Sequence, residues 1–176
     1  KAQVLTGGRG KGHLSSGLHG GVHLTRDPKV ANIIASKMLG YSLVTHQTGP
    51  SGLPVNKVML AEAKGISRET YVAIVLDRSQ GGPVLVGSLC GGMDIEAVPK
   101  DQIITEVIAG MSPESLRREQ IEGFLQKLGF TEAEGTLSAA VDQLQKLWHL
   151  FLSVDATQVE INPFGVTPNK EGIYQR

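Results

Sequence analysis

Apolar positions recur at helical spacing in three stretches of the chain. In the first, Val30, Ile33, Ile34 and Met38 follow Asp27-Pro28 and precede Gly40, so a helix capped by Asp27 with Pro28 in its first turn is expected. The second opens at Ser112-Pro113-Glu114 and runs through Leu116, Ile121, Leu125 and Leu128 to Gly129. The third starts near Thr136 and places Val141, Leu144, Leu147, Trp148 and Phe151 on one side. All three stripes are expected to face a core.

Short β-branched runs predict strands at Val58 to Ala61, Tyr71 to Leu76, Val84 to Gly87 and Thr157 to Ile161, and Ala2-Gln3-Val4-Leu5 reads as a strand too. Asp77 to Pro83 reads as the turn of a hairpin, which makes the sheet at least partly antiparallel. Helices and strands are interspersed, so the expected class is α+β, or mixed α/β. The opening is a loop, with Gly7, Gly8, Gly10, Gly12, Gly17, Gly20 and Gly21 inside the first 21 residues.

At 176 residues and 40% hydrophobic content, the chain suits one domain with a real core rather than two independent ones. The net charge is zero, and no apolar run approaches the roughly 18 residues of a membrane span. Neither nucleic acid nor a membrane is an expected partner. Cys90 is the single cysteine, which excludes an internal disulfide and is given no chemical role. The chain begins at Lys1 without an initiator methionine or a signal peptide and is expected to be a fragment.

Local charge adds what the neutral total hides. The first 26 residues hold Lys1, Arg9, Lys11 and Arg26 and no acid. Glycines let backbone N–H groups approach an anion, so Gly7-Gly8-Arg9-Gly10 suits a polyphosphate, or else is a surface loop that binds nothing. Its spacing is neither that of a P-loop nor that of a dinucleotide fingerprint. Glu62 and Glu69 flank Lys64-Gly65 between two strand candidates; they are placed to accept bonds from ribose hydroxyls or a base amino group, or to be solvated acids. Glu160 and Asn162 alternate with Ile161 and share a face of an extended strand, a pair of oxygen donors suited to Mg²⁺ or a polar sheet edge stopped by Pro163. His13, His19, His23, His46 and His149 lack ligand spacing, and no zinc site is expected.

Taken together, Gly7-Gly8-Arg9-Gly10-Lys11-Gly12, Ser16-Gly17-Leu18-His19-Gly20-Gly21-Val22, Asp77-Arg78-Ser79, Gly91-Gly92-Met93-Asp94-Ile95-Glu96 and Val159-Glu160-Ile161-Asn162-Pro163 resemble the β subunit of succinyl-CoA synthetase in order and spacing. The resemblance covers nearly the whole chain. It implies residues 1–176 as a partial ATP-grasp domain, truncated at both ends, with the nucleotide between two α+β subdomains and the C-terminal CoA-ligase domain absent. It implies an acid–thiol ligase of the tricarboxylic acid cycle in which a nucleoside triphosphate phosphorylates a histidine of the α subunit, the partner of a heterodimer. Succinyl phosphate and then succinyl-CoA follow at a second site.

Carried over by position, Lys1 and Gly8-Arg9-Gly10 lie beside phosphates, Glu62 near the base and Glu69 near the ribose. Asn162 is a Mg²⁺ ligand, and Glu160 is the catalytic acid that meets the phosphohistidine loop. The family's second magnesium ligand, an Asp a dozen or so residues beyond Asn162, has no match before Arg176. Ile66 to Tyr71 and Gly82 to Ser88 look more like the guanine-nucleotide form, so GTP/GDP is expected, with ATP/ADP the alternative, and location in the mitochondrial matrix. Succinate and CoA would bind through parts outside this chain. The other readings are the corresponding domain of a citrate- or malate-activating CoA enzyme and an inert interaction module with the same fold.

Overall fold

The computed structural model describes residues 1–92 and 95–168, together with the backbone of 173–175; Met93 and Asp94 of the Gly91 to Glu96 segment lie outside the described residues. The chain forms two compact units, Lys1–Ala63 and the portion from Lys64 onward. Each has its own cluster of buried residues.

The first unit contains strand β1 (His13–Leu14), helix α1 (Pro28–Met38), β2 (Ser42–Val44) and β3 (Leu53–Pro54). The strands form an antiparallel sheet in the order β1-β2-β3. Asp27 caps α1 as expected, its Oδ1 accepting from Lys29 N at 2.8 Å, with Pro28 at the first helical position. The inward face differs from the expected stripe. Met38 is buried and Ile34 packs on the small core of Ala2, Leu14, Leu43 and Val55, but Val30 and Ile33 are 40% and 56% exposed. Ala31 and Ala35 flank the Ile34–Met38 line on a helical wheel, so these small side chains share the inward face and Val30 and Ile33 are rotated off it.

Two strand expectations fail in this unit. Ala2 and Val58 meet in a single antiparallel bridge, joined by Gln3 N to Lys57 O at 2.9 Å and Met59 N to Lys1 O at 2.8 Å. Apart from a bond from the Lys1 amino group to Met59 O at 2.9 Å, the pairing does not extend, and Leu5 and Leu60 stand exposed.

The second unit is a five-stranded antiparallel sheet in the order β6-β5-β4-β7-β8, built from β4 (Arg68–Asp77), β5 (Gly82–Ser88), β6 (Ile103–Val107), β7 (Gln158–Val166) and β8 (Ile173–Gln175). The expected hairpin is present, with Tyr71 opposite Ser88 and Asp77 opposite Gly82. Val72, Ile74, Leu85, Ile161 and Phe164 form one core with helices α2 (Arg118–Lys127) and α3 (Leu137–Ser153). Alternation along β4 therefore puts Val72 and Ile74 toward the helices and Tyr71 and Ala73 on the other face. At Gly87 an added Cβ would lie 2.7 Å from Phe124 and 2.8 Å from Leu128, so α2 rests directly on the backbone of β5.

The third predicted helix matches α3, and its stripe from Val141 to Phe151 is buried. The second is broken. Pro113–Ser115 forms one 3₁₀ turn closed by a reciprocal Ser112/Ser115 capping box. Leu116 then turns extended (φ −106°, ψ 98°) and is buried, and α2 starts at Arg118. Burying Leu116 required leaving the helix. Nor does Pro163 end β7, which lies between β4 and β8. Thr70 pairs with Phe164 and Val72 with Ile161, leaving Asn162 and Pro163 opposite Tyr71 alone. This bulge accommodates a residue with no N–H to donate.

Candidate functional site

The two units carry separate groups of the residues singled out above. In the first unit, Gly8 adopts φ +65° and opens the 3₁₀ turn Arg9–Lys11. An added Cβ there would meet His46 Nδ1 at 2.5 Å, so both backbone and neighbour require glycine. Gly10 carries no such constraint, with nothing within 4 Å of an added Cβ.

The loop is held from several sides. Gly7 N donates to Gln47 Oε1 at 2.6 Å, Thr6 and Thr45 hydroxyls are 3.0 Å apart, and Gly21 N donates to Arg9 O at 2.7 Å. Among the described residues, no hydrogen bond uses the N–H of Gly8, Arg9 or Gly10. A turn with a fixed frame and successive unengaged N–H groups has the geometry that an anion can use. Arg9 is half-buried, with Nη1 donating to Ala2 O at 3.3 Å, and most of its five-donor fork stays unengaged among the described residues. Lys1 borders a small, mostly apolar hollow with His23, Ile34, Met38, Val58 and Leu60. Glu62 is exposed and lies in no strand.

The hold exerted by Gln47 and His46 was not anticipated from sequence. Its signal was the run of polar residues Thr45-His46-Gln47-Thr48 directly before Gly49-Pro50, a turn rich in side chains that bond backbone. Thr48 Oγ1 accepts from Thr45 N at 2.9 Å, and Gln47 N donates to Thr45 Oγ1 at 3.2 Å.

In the second unit, the β4/β7 bulge and the loop after β5 bring Glu69, Gly92 and Asn162 together. Gly91 N donates to Glu69 O at 3.3 Å, and Gly92 N donates to Asn162 Oδ1 at 2.7 Å. A Cβ on Gly91 would stand 2.5 Å from Glu69 C and Thr70 N, and one on Gly92 would strike Glu69 Oε2. Glu62 and Glu69, expected to flank one bend between strands, instead belong to different compact units, and only Glu69 is on a strand.

Glu160 faces Ala73 across β4/β7 and is exposed. Its Oε2 accepts from the Tyr71 hydroxyl at 3.0 Å and from Gln158 Nε2 at 3.2 Å. Burial, reinforced by the neighbouring Glu160 carboxylate and its hydrogen bond, raises the Tyr71 pKa above the ordinary phenol value, so Tyr71 remains a donor. Glu69, Glu160 and Asn162 offer hard oxygen donors of the kind Mg²⁺ takes. Among the described residues, no group of three or more His, Cys, Asp or Glu side chains is placed to hold a metal by itself. An ion there would need nucleotide phosphates and water to complete its shell. Cys90 Sγ points to Gln102 Oε1 at 3.7 Å.

Residues 1–166 match the model of the ATP-grasp domain. The chain belongs to the ATP-grasp domain family. It is 54% identical to the GDP-forming succinate–CoA ligase subunit beta, mitochondrial, of Mus musculus and 53% identical to that of Homo sapiens, in each case over 96% of this chain and 39% of the relative. The ADP-forming mitochondrial subunit beta of Dictyostelium discoideum is 45% identical over 95% of this chain and 37% of the relative. The chain thus spans about two fifths of the length of these relatives. Among solved structures, ATP citrate lyase from Methanothrix soehngenii, in complex with citrate and coenzyme A, is similar with a TM-score of 0.56 and 20% identity over 88% of this chain and 33% of that one. At that identity the likeness is one of fold, and it agrees with an ATP-grasp domain of α+β class.

Proposed function

We propose that this ATP-grasp chain is the nucleotide-binding part of a GDP-forming succinate–CoA ligase β subunit. The observation that carries the reading is its 54% identity to a GDP-forming subunit across 96% of the chain. In the complete enzyme, Gly8-Arg9-Gly10 and Lys1 hold the nucleotide phosphates, Glu62 lies near the base and Glu69 near the ribose. Asn162 contributes to Mg²⁺, which neutralises phosphate charge when bound. Glu160 meets the histidine of an α subunit that takes the phosphoryl group. Such transfer rests on positioning and charge neutralisation, so the chain needs no nucleophile of its own. Succinate and CoA are handled by other parts of the α–β heterodimer, in the mitochondrial matrix. GTP and GDP are preferred over ATP and ADP, in keeping with the GDP-forming subunits of mouse and human among its relatives.

The loop assignment is tested by Arg9→Glu. Reversing a charge beside polyphosphate should weaken triphosphate binding by roughly tenfold or more at low salt, with a much smaller effect on the nucleoside. The difference should shrink as salt rises. Calorimetric titration of the wild-type chain and Arg9→Glu with triphosphate and nucleoside at two salt concentrations reads this directly, and a loss that is absent or independent of salt removes the loop from the phosphate site.

A further inference from the structure

The bulge between β4 and β7 lets Tyr71 reach across the sheet. Asn162 and Pro163 oppose Tyr71 alone, and the residue facing Glu160 is the small Ala73, which leaves the face between them free of a larger side chain. Tyr71 is only 3% exposed, while Glu160 at the end of its reach is open to solvent. A buried ring with its one polar atom on an exposed carboxylate is a rigid strut, because the phenol has two torsions and both are packed.

Both donors to Glu160, the Tyr71 hydroxyl and Gln158 Nε2, end on the same oxygen, Oε2. Among the described residues nothing bonds Oε1. The carboxylate is therefore tethered through one oxygen and presents the other.

We propose that Tyr71 is a positioning residue for Glu160, fixing Oε2 so that Oε1 faces the group that approaches the open side of the sheet. This rests on the reading of Glu160 as the acid that meets the phosphoryl-accepting histidine. In that reading Oε1 accepts a hydrogen bond from the imidazole N–H remote from phosphorus and holds the ring in the attacking orientation. Tyr71 touches no reactant. It keeps an otherwise mobile glutamate in one rotamer, which matters for the transfer step and not for nucleotide affinity.

The test uses the complete two-subunit enzyme and the rate of histidine phosphorylation by the nucleoside triphosphate. Tyr71→Phe removes one oxygen and keeps the packed ring. It should slow the step about tenfold, the scale of a lost hydrogen bond to a charged group, with nucleotide KM unchanged within about twofold. Glu160→Gln should be slow as well, and the double variant no slower than Glu160→Gln alone. Glu160→Asp, which leaves the buried ring intact and withdraws the carboxylate from Tyr71, should show the same loss confined to kcat, so the proposal remains testable even if Tyr71→Phe folds poorly.

If Tyr71→Phe or Glu160→Asp transfers at the wild-type rate while Glu160→Gln is slow, the strut is wrong and the role of Glu160 stands. If losses multiply in the double variant, Tyr71 acts independently of Glu160 and the proposal is overturned. If Glu160→Gln itself is normal, the reading of Glu160 fails and the strut with it.

Discussion

Trp148→Ala should lower the stability of the second unit by about 3–5 kcal/mol, the range for deleting a large buried aromatic side chain. Trp148 is 1% exposed and belongs to the buried stripe of α3, toward its C-terminal end. Its ring stacks on Phe151 with centroids 5.6 Å apart and an interplanar angle of 15°. Its Nε1 donates to Ser112 O at 3.2 Å, so it also ties α3 to the turn that precedes α2. Truncation leaves a cavity and removes that tie, and a core of this density closes only partly around such a void. Circular dichroism during denaturant unfolding measures the loss. A cost below about 1 kcal/mol would mean that the helices do not pack on the sheet as described.

Gly91→Ala should cost roughly 1–3 kcal/mol, the price of overpacking, and should also pull Gly92 and Asn162 apart. The added Cβ would lie 2.5 Å from Glu69 C and Thr70 N. These are backbone atoms of β4 and cannot swing away as a side-chain tip can. The loop after β5 must move instead, carrying Gly92 away from Asn162 Oδ1, which it bonds at 2.7 Å. Any Mg²⁺ dependence of triphosphate affinity should then weaken along with stability. Gly123→Ala in α2 is the control, because nothing lies within 4 Å of its added Cβ and alanine favours a helix by about 1 kcal/mol. Opposite signs for the two substitutions are expected in thermal melts. Equal effects would show that Gly91 is not closely packed on β4.

These two sites differ in how readily sequence exposes them. The α3 stripe was legible because 17 residues give a 3.6-residue period several repeats. The β4–β5 hairpin was legible through two β-branched runs around a polar turn. Strands β1, β2 and β3 were not, since two or three residues carry no period at all. The break at Leu116 was hidden because its apolar side chain fits the helical stripe equally well, and burial in the core decided against helix there. Val30 and Ile33 were misassigned because the pattern locates apolar residues but not the alanines that let a helix approach its core.

At the candidate site, the parity of Glu160 and Asn162 was readable, whereas the bulge that aligns them with Tyr71 depends on pairing with a strand some 90 residues away. Gln47 holds Gly7 across 40 residues. Spacing along the chain contains neither relation.

In the proposed function this ATP-grasp chain binds a guanine nucleotide. Calorimetric titration of the protein with Mg-GTP, Mg-GDP, Mg-ATP and Mg-ADP under one set of conditions tests it most directly. The account predicts saturable binding of all four with the guanine nucleotides tighter. Equal or tighter binding of the adenine pair would contradict the base preference, and no heat of binding from any of them would contradict the claim itself.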